Sequence, residues 1–409
     1  MKKVVTIVVL LIAVLSAQNT KEMYTSRQIN YVRDGAGSYY GLVETLPAGT
    51  KVVLLSKEDK WSKIKTPSSK SGWLANNCFE SARKSGEVEK KLLGSYASIK
   101  SSRIGIAAAI KGLLGKFDKG GVNQVDDLSG YLSEVTGGID LRNFSSSLVD
   151  DANRHPTELK FDEISKSVDE YNPSLKETQI GAGIAASLIS RGIVKDKNIT
   201  TYLNSIAAAL LRNTKYYDWD FYVFILDDKK IDGFACPGGY IFVTKGAVES
   251  CADESELAAI IAHEMGHLIL RHATKEMKER DVSIKSEAAF DELDKISGKD
   301  STELELEEMM ESSYNRICFE RLLNYEKDAD MFSALLCANS GYDPEGIVRV
   351  TQKLIGLRVQ NNDVFSANYL SPNDLKLRYD NVSKYVGKKL SGWSGKRLQE
   401  RFKSMVNGK

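Results

Sequence analysis

Histidine is scarce in this 409-residue chain, with only four residues. Charge is nearly balanced at a formal +1, which excludes the basic footprint of a dedicated nucleic-acid binder. The five cysteines, Cys78, Cys236, Cys251, Cys318 and Cys337, show no C-x-x-C spacing, so a thiolate metal cluster is excluded too. In an exported protein some of them could pair, and the odd count leaves at least one free or intermolecular. A comfortable membrane span is also missing, because the apolar run from Val4 to Leu15 falls short of the roughly 20 residues that a spanning helix needs.

That run instead follows Lys2 and Lys3 and precedes Ser16 and Ala17, the order of a secretory signal peptide over residues 1–17. Export to a bacterial periplasm or secretion is therefore expected, with an uncleaved N-terminal anchor as the alternative. Gln18 stands where a lipid-anchored protein would need a cysteine.

Three of the four histidines fall within one stretch, Glu256 to Met277, which contains His263, Glu264 and His267 as H-E-x-x-H. A chance occurrence is on the order of one in a few hundred at this composition. Leu257, Ile260, Ile261, Met265, Leu268 and Ile269 recur at three- and four-residue steps, which predicts an amphipathic helix over this stretch. His263 and His267 then project from one face, with Glu264 about a quarter turn away. Two imidazoles can grip one zinc ion while the carboxylate stands beside its water. The bland alternative is a pair of satisfied core histidines beside a solvated glutamate. His272 lies on the far side of a straight helix, so it is expected to cap or pack near the helix end and not to join the metal.

A catalytic zinc needs a third protein ligand and an open position. Glu326 and Asp330 are four apart on a second apolar-periodic segment that should end at Gly341, before Tyr342-Asp343-Pro344. Glu326 can complete the coordination, and Asp330, one turn on, can accept the spare N–H of a ligand histidine. Alone, this pair would read as an ordinary carboxylate-rich helix face.

Together these residues resemble the zinc metalloendopeptidases that include the CAAX prenyl protease and the heat-shock protease HtpX. Glu326-Lys327-Asp328-Ala329-Asp330 matches their E-x-x-A-D motif, Gly341-Tyr342-Asp343-Pro344 their next helix break, and Gly233 to Val243 their strand and turn before the zinc helix. The resemblance covers about Glu177 to Tyr379. It implies a zincin-type fold, one catalytic zinc on His263, His267 and Glu326, Glu264 as general base, Asp330 as orienting carboxylate, and a protein or peptide substrate. It also tips Pro237, Gly238, Gly239, Tyr240 and Ile241 toward substrate binding, through a free strand edge. The family carries a late His-Pro pair, whereas this chain has Tyr369-Leu370-Ser371-Pro372 and no histidine after His272. Tyr369, Arg378 or Asn324 would have to stabilise the transition state instead, or turnover falls. A chaperone-like or wall-associated binding protein with a weakened peptidase core is the competing class.

Residues 24–80 differ in composition, with short alternating runs that predict five strands of a small barrel. Leu46-Pro47-Ala48-Gly49-Thr50-Lys51-Val52 and the closing Gly72-Trp73 resemble a bacterial SH3-like domain. That resemblance implies a cell-wall or peptide ligand, weighed evenly against a structural barrel. Residues 81–176 form a linker or helical region of open role, with one apolar helix over Ser101 to Phe117. The peptidase domain is expected over 177–380, with strands at Phe221 to Leu226 and Tyr240 to Thr244 and helices near Gln179 to Ser190 and Ile199 to Leu211. Asp281 to Glu311, with eleven acidic and three basic residues, reads as a solvated helix pair or a lid over the cleft. Residues 381–409 read as a basic tail. The overall expectation is an α+β protein: an all-β barrel, then a mainly helical zincin-type domain with a small sheet beside the active-site helix.

Overall fold

The structure is a computed structural model that describes residues 21–80, 139–148, 175–274, 312–318 and 321–406, apart from positions 28, 59, 316 and 367–368. The expected signal peptide, the apolar helix at 101–117, most of the 81–176 region and the acidic 281–311 insert lie outside the described residues. Among the described residues, no helix is long and apolar enough to cross a membrane.

The N-terminal unit contains seven strands where five were expected: β1 (Lys21–Thr25), β2 (Ile29–Arg33), β3 (Leu42–Pro47), β4 (Lys51–Lys57), β5 (Trp61–Lys65), β6 (Ser71–Ala75) and β7 (Phe79–Glu80). They form one antiparallel sheet in the order β3-β2-β6-β5-β4-β1-β7. Alternation puts Val32, Val52, Ile64 and Leu74 inside, which is the period-2 pattern that read as strands in the sequence.

The second unit is built on three strands, β8 (Tyr222–Leu226), β9 (Gly233–Cys236) and β10 (Tyr240–Thr244), in the order β8-β10-β9. β10 runs parallel to β8 and antiparallel to β9. All five residues of β10 are buried, because both faces of this strand are covered. Tyr240 and Phe242 pack with Ile180, Ile184 and Leu188 of α2 (Leu175–Ile189) on one side. Ile241 and Val243 face the main core on the other. That core is formed by α3 (Lys197–Leu211), α5 (Glu254–Ile269), α6 (Leu323–Ser340), α7 (Gly346–Gln360) and α8 (Pro372–Lys389). Two short helices, α1 (Leu141–Ser146) and α4 (Lys245–Ser250), complete the described helices before α5.

The segment expected as a basic tail belongs to this core. Val382, Val386 and Leu390 are buried, and α9 (Gln399–Val406) inserts Phe402. Arg401 of α9 reaches Glu254 at the start of α5, with Nε 2.6 Å from its Oε2. Tyr202 and Tyr342 donate their hydroxyls to the same carboxylate at 2.8 and 2.6 Å. A buried carboxylate is tolerable when each oxygen is hydrogen-bonded and a cation is adjacent. Arg397 and Arg401 pair with the acids at the start of α5, while Lys384, Lys388, Lys389 and Lys403 lie on an exposed face, as expected. All five cysteines are free thiols, and only Cys318 is less than fully buried.

Candidate metal centre

Asp253 caps α5 by accepting from the Glu256 N–H, which starts the helix that carries His263, Glu264 and His267. The helix was expected to continue to Met277, but it ends at Ile269. Leu270 closes it, and Arg271 adopts a left-handed backbone with φ 57°. α6 crosses α5 where Gly266 faces Ala329. A Cβ built on Gly266 would stand 3.1 Å from the Ala329 Cα, so glycine is what allows the two helices this close. Ser333 adds a hydrogen bond from its Oγ to the Ala259 carbonyl at 2.7 Å. α6 ends as expected at Gly341, whose left-handed φ of 94° closes the helix.

This crossing brings Glu326 to the two histidines. The Nε2 atoms of His263 and His267 are 3.1 Å apart. Glu326 Oε2 lies 3.6 Å from His263 Nε2, and its Oε1 lies 3.5 Å from His267 Nε2. A tetrahedral centre with bonds of about 2.0–2.1 Å to nitrogen and oxygen places its donor atoms about 3.3 Å apart. The three residues thus fit a single ion, and they form one convergent metal-ligating group among the described residues. Arg378 Nη1 lies 2.8 Å from Glu326 Oε2 but not in line for a hydrogen bond, so that buried oxygen has an ionic contact and no aligned donor. An inward-facing carboxylate oxygen of this kind suits a ligand to a cation.

Each histidine has a partner behind it. His263 Nδ1 lies 2.8 Å from Asp330 Oδ1, an ionic contact. His267 Nδ1 lies 3.0 Å from His272 Nδ1, and the His272 ring stacks on Tyr325 at a centroid distance of 4.3 Å. His272 therefore neither joins the metal nor merely packs. The break at Leu270 and Arg271 turns the chain back, so the third histidine supports the second, and the straight-helix geometry assumed from the sequence does not apply beyond Ile269.

Electrostatics keep both carboxylates, the ligand Glu326 and Asp330 behind His263, ionised. Burial opposes ionisation of Glu326 and Asp330, but Arg378 beside both holds them below the usual carboxylate range. Arg378 donates to Asp330 through Nε at 2.9 Å and Nη2 at 2.7 Å. Burial holds His267 well below its ordinary value, hence neutral and ready to coordinate. For His263, burial pulls the same way, yet the Asp330 carboxylate wins and raises it to about 9. A metal must compete with that proton. Glu264 is pushed up to about 7 by burial. Gly233 makes room for it: a Cβ there would meet Glu264 Oε1 at 2.3 Å.

The cleft over these groups is lined by Gly233, Phe234, Ala235, Arg321, Tyr325 and Leu322 beside the metal ligands. This corrects two expectations. Among the described residues, the strand edge at the cleft that lacks a strand partner is that of β9, where Arg321 meets the Gly233 carbonyl, and not that of Tyr240 and Ile241, because β10 is the central strand with both edges paired. Pro237, Gly238 and Gly239 form the turn at the other end of β9, with Pro237 packed against Gly181 and Gly239 against the Asp220 carbonyl. Neither Arg378 nor Tyr369 lines the cleft. Arg378 is buried on Asp330 and Glu326, and the Tyr369 ring lies beneath the Arg321 guanidinium at 4.9 Å. Asn324 does not line it either. The cation at the cleft is Arg321, held by Asp232 and by the Gly233 carbonyl and 3.6 Å from Glu326 Oε1. No motif marked it in the sequence.

The fold and this site define a metallopeptidase domain, and comparison agrees. Residues 195–375 match the family model described as peptidase family M48, and residues 30–80 match the bacterial SH3 domain. Residues 195–375 are thus similar to the M48 metallopeptidases and follow a stretch similar to the bacterial SH3 domain. Among curated relatives, it is 28% identical over 91 residues to the beta-barrel assembly-enhancing protease of Escherichia coli K12, 22% of this chain and 19% of that one. The same protease of Yersinia pestis is 29% identical over 91 residues, with the same shares. The mitochondrial metalloendopeptidase OMA1 of Arabidopsis thaliana is 27% identical over 151 residues, 37% of this chain and 29% of the relative. The matched region spans less than a third of the length of each of these relatives.

Proposed function

We propose that this chain is an exported zinc-dependent endopeptidase that hydrolyses peptide bonds of proteins, with misfolded or envelope proteins as the substrate class. The observation that carries the reading is the convergence of His263, His267 and Glu326 beside Glu264, under the edge of β9 that lacks a strand partner among the described residues. Zinc bound there would acidify a water and polarise the scissile carbonyl. An extended substrate pairs along Gly233, Phe234 and Ala235, which fixes its backbone direction over the cleft. Glu264 takes the proton of the attacking water and returns it to the leaving amine. Asp330 and His272 hold the imidazoles of His263 and His267 in register. Arg321, and not Tyr369 or Arg378, faces the oxygen that gains charge during attack.

Export rests on the sequence of residues 1–17, and the envelope substrate class on the assembly-enhancing role printed in the names of the bacterial relatives. The test is Glu264→Gln in the full chain. It should retain zinc by metal analysis and lose casein cleavage, while the wild type loses activity to a chelator and regains it with zinc. Cleavage at the wild-type rate by the variant would remove Glu264 from the mechanism.

A further inference from the structure

The SH3-like barrel and the peptidase domain exchange side chains. Tyr217, from the segment Thr214 to Phe221 between α3 and β8, packs against the barrel's own core. Its ring meets Trp61 edge-on at 5.9 Å and sits under Lys60 Nζ at 5.0 Å, and its hydroxyl donates to the Lys60 carbonyl at 3.0 Å. In return, Tyr39 of the barrel packs against the peptidase core. The two carboxylates that follow Tyr217 meet barrel cations: Asp218 pairs with Arg27 and accepts from Asn77 Nδ2 at 3.1 Å, and Asp220 pairs with Arg33. Arg33 is 3% exposed and Asp218 2%, so both pairs are largely withdrawn from water. Tyr216 and Trp219, three positions apart across the turn of the same segment, point the other way into the peptidase core. One strip of chain therefore shows apolar rings to its own domain, and an aromatic ring with two carboxylates to its neighbour.

We propose that this aromatic and basic face of the barrel, around Trp61, Lys60, Arg27 and Arg33, is a recognition surface for an acidic aromatic peptide, and that Thr214 to Phe221 occupies it in cis. The chemistry that fits is a peptide that turns at a tyrosine and follows it with two carboxylates in D-x-D spacing, since Lys215 to Asp218 form a turn in which the Trp219 N–H donates to the Tyr216 carbonyl at 3.0 Å. A separate protein presenting that pattern is the kind of partner the barrel can take, and it must first displace the internal segment. The inference does not depend on peptidase activity.

The test uses the full chain and a fluorescently labelled peptide of sequence TKYYDWDF. In the variant Tyr217→Ala with Asp218→Asn and Asp220→Asn, the barrel face is intact and its internal occupant is disabled. Fluorescence anisotropy should show saturable binding to this variant. Binding to wild type should be at least about tenfold weaker, because a tethered segment competes at an effective concentration on the order of millimolar. A peptide with both aspartates replaced by asparagine should not bind. Equal binding to wild type and variant, or none to a variant whose circular dichroism matches wild type, would overturn the proposal. If the triple variant does not fold, Arg27→Asp combined with Asp218→Arg should keep the wild-type radius of gyration in solution scattering while each single change enlarges it. Single changes that leave the radius unaltered would overturn it equally.

Discussion

Gly266→Ala isolates the contact that makes the metal centre possible. In an ordinary helix interior, replacing glycine by alanine stabilises by about 1 kcal/mol. Gly356 of α7 is such a place, since a Cβ there meets nothing within 4 Å, and Gly356→Ala should gain that amount. At Gly266 the new Cβ would stand 3.1 Å from the Ala329 Cα and 3.3 Å from both the Ala329 carbonyl oxygen and the Phe332 Cβ. These are backbone and core atoms, so α5 and α6 must part by a few tenths of an ångström. Overpacking of this kind costs about 1–3 kcal/mol, so the net effect is a loss of about 0–2 kcal/mol. The consequence for the metal is sharper. Coordination distances are held to about 0.2 Å, and the separation moves Glu326 on one helix away from both imidazoles on the other. Zinc affinity, measured by competition with a chromophoric chelator, should fall about tenfold or more, and further in Gly266→Val. Urea denaturation of the metal-free proteins gives the stability half of the comparison. If Gly266→Ala gains as much as Gly356→Ala and binds zinc like wild type, close helix approach does not set the site.

Other consequences can be checked separately. His272→Phe keeps the ring on Tyr325 but removes the nitrogen behind His267, and zinc affinity should drop about 10–100-fold with the fold intact by circular dichroism. Arg321→Lys should retain a cation beside Asp232 yet lose the fork, and kcat on a fluorogenic peptide should fall about 10²–10³-fold with little change in KM; an effect confined to KM would reassign Arg321 to substrate binding. Because Glu264 must be ionised to act, kcat/KM should fall as pH drops through about 7, and a bound dication can only move that limb to lower pH. The same burial opposes folding: with a folded value above the ordinary 4.5, Glu264 weakens stability as pH rises from 4.5 through about 7. Metal-free Glu264→Gln should therefore be the more stable protein at pH 8, by about 3 kcal/mol, and an unchanged denaturation midpoint would contradict this.

Local chemistry was legible in the sequence, while distant geometry was not. The helix face joining His263 to His267, the four-residue step from Glu326 to Asp330 and the glycine stop at Gly341 all depend on spacing within a few residues. Strand identity at Tyr240 to Thr244 was clear for the same reason. Strand order was not, because period-2 patterning says nothing about which neighbours a strand will find. Substrate contact was consequently assigned to Tyr240 and Ile241 when, among the described residues, the edge without a strand partner belongs to Gly233–Cys236. His272 keeps out of the ligand set and packs on Tyr325 as expected, but its contact with His267 was not legible, because the left-handed Arg271 ends the helix where no glycine or proline announces it. The clustering of three scarce histidines was a signal that all three serve one site. Arg321 and the pairing of Arg27 with Asp218, 191 positions apart, left no trace in composition or period.

The Glu254 node has a practical consequence for anyone trimming this protein. A chain cut after α8 would strand a carboxylate beside two tyrosyl hydroxyls with its guanidinium gone, at the very root of the helix that presents the ligands. What looks like a dispensable lysine- and arginine-rich end is the latch on the opposite extremity of the catalytic rod, so shortened versions should be judged by metal retention before their silence is read as lack of enzyme.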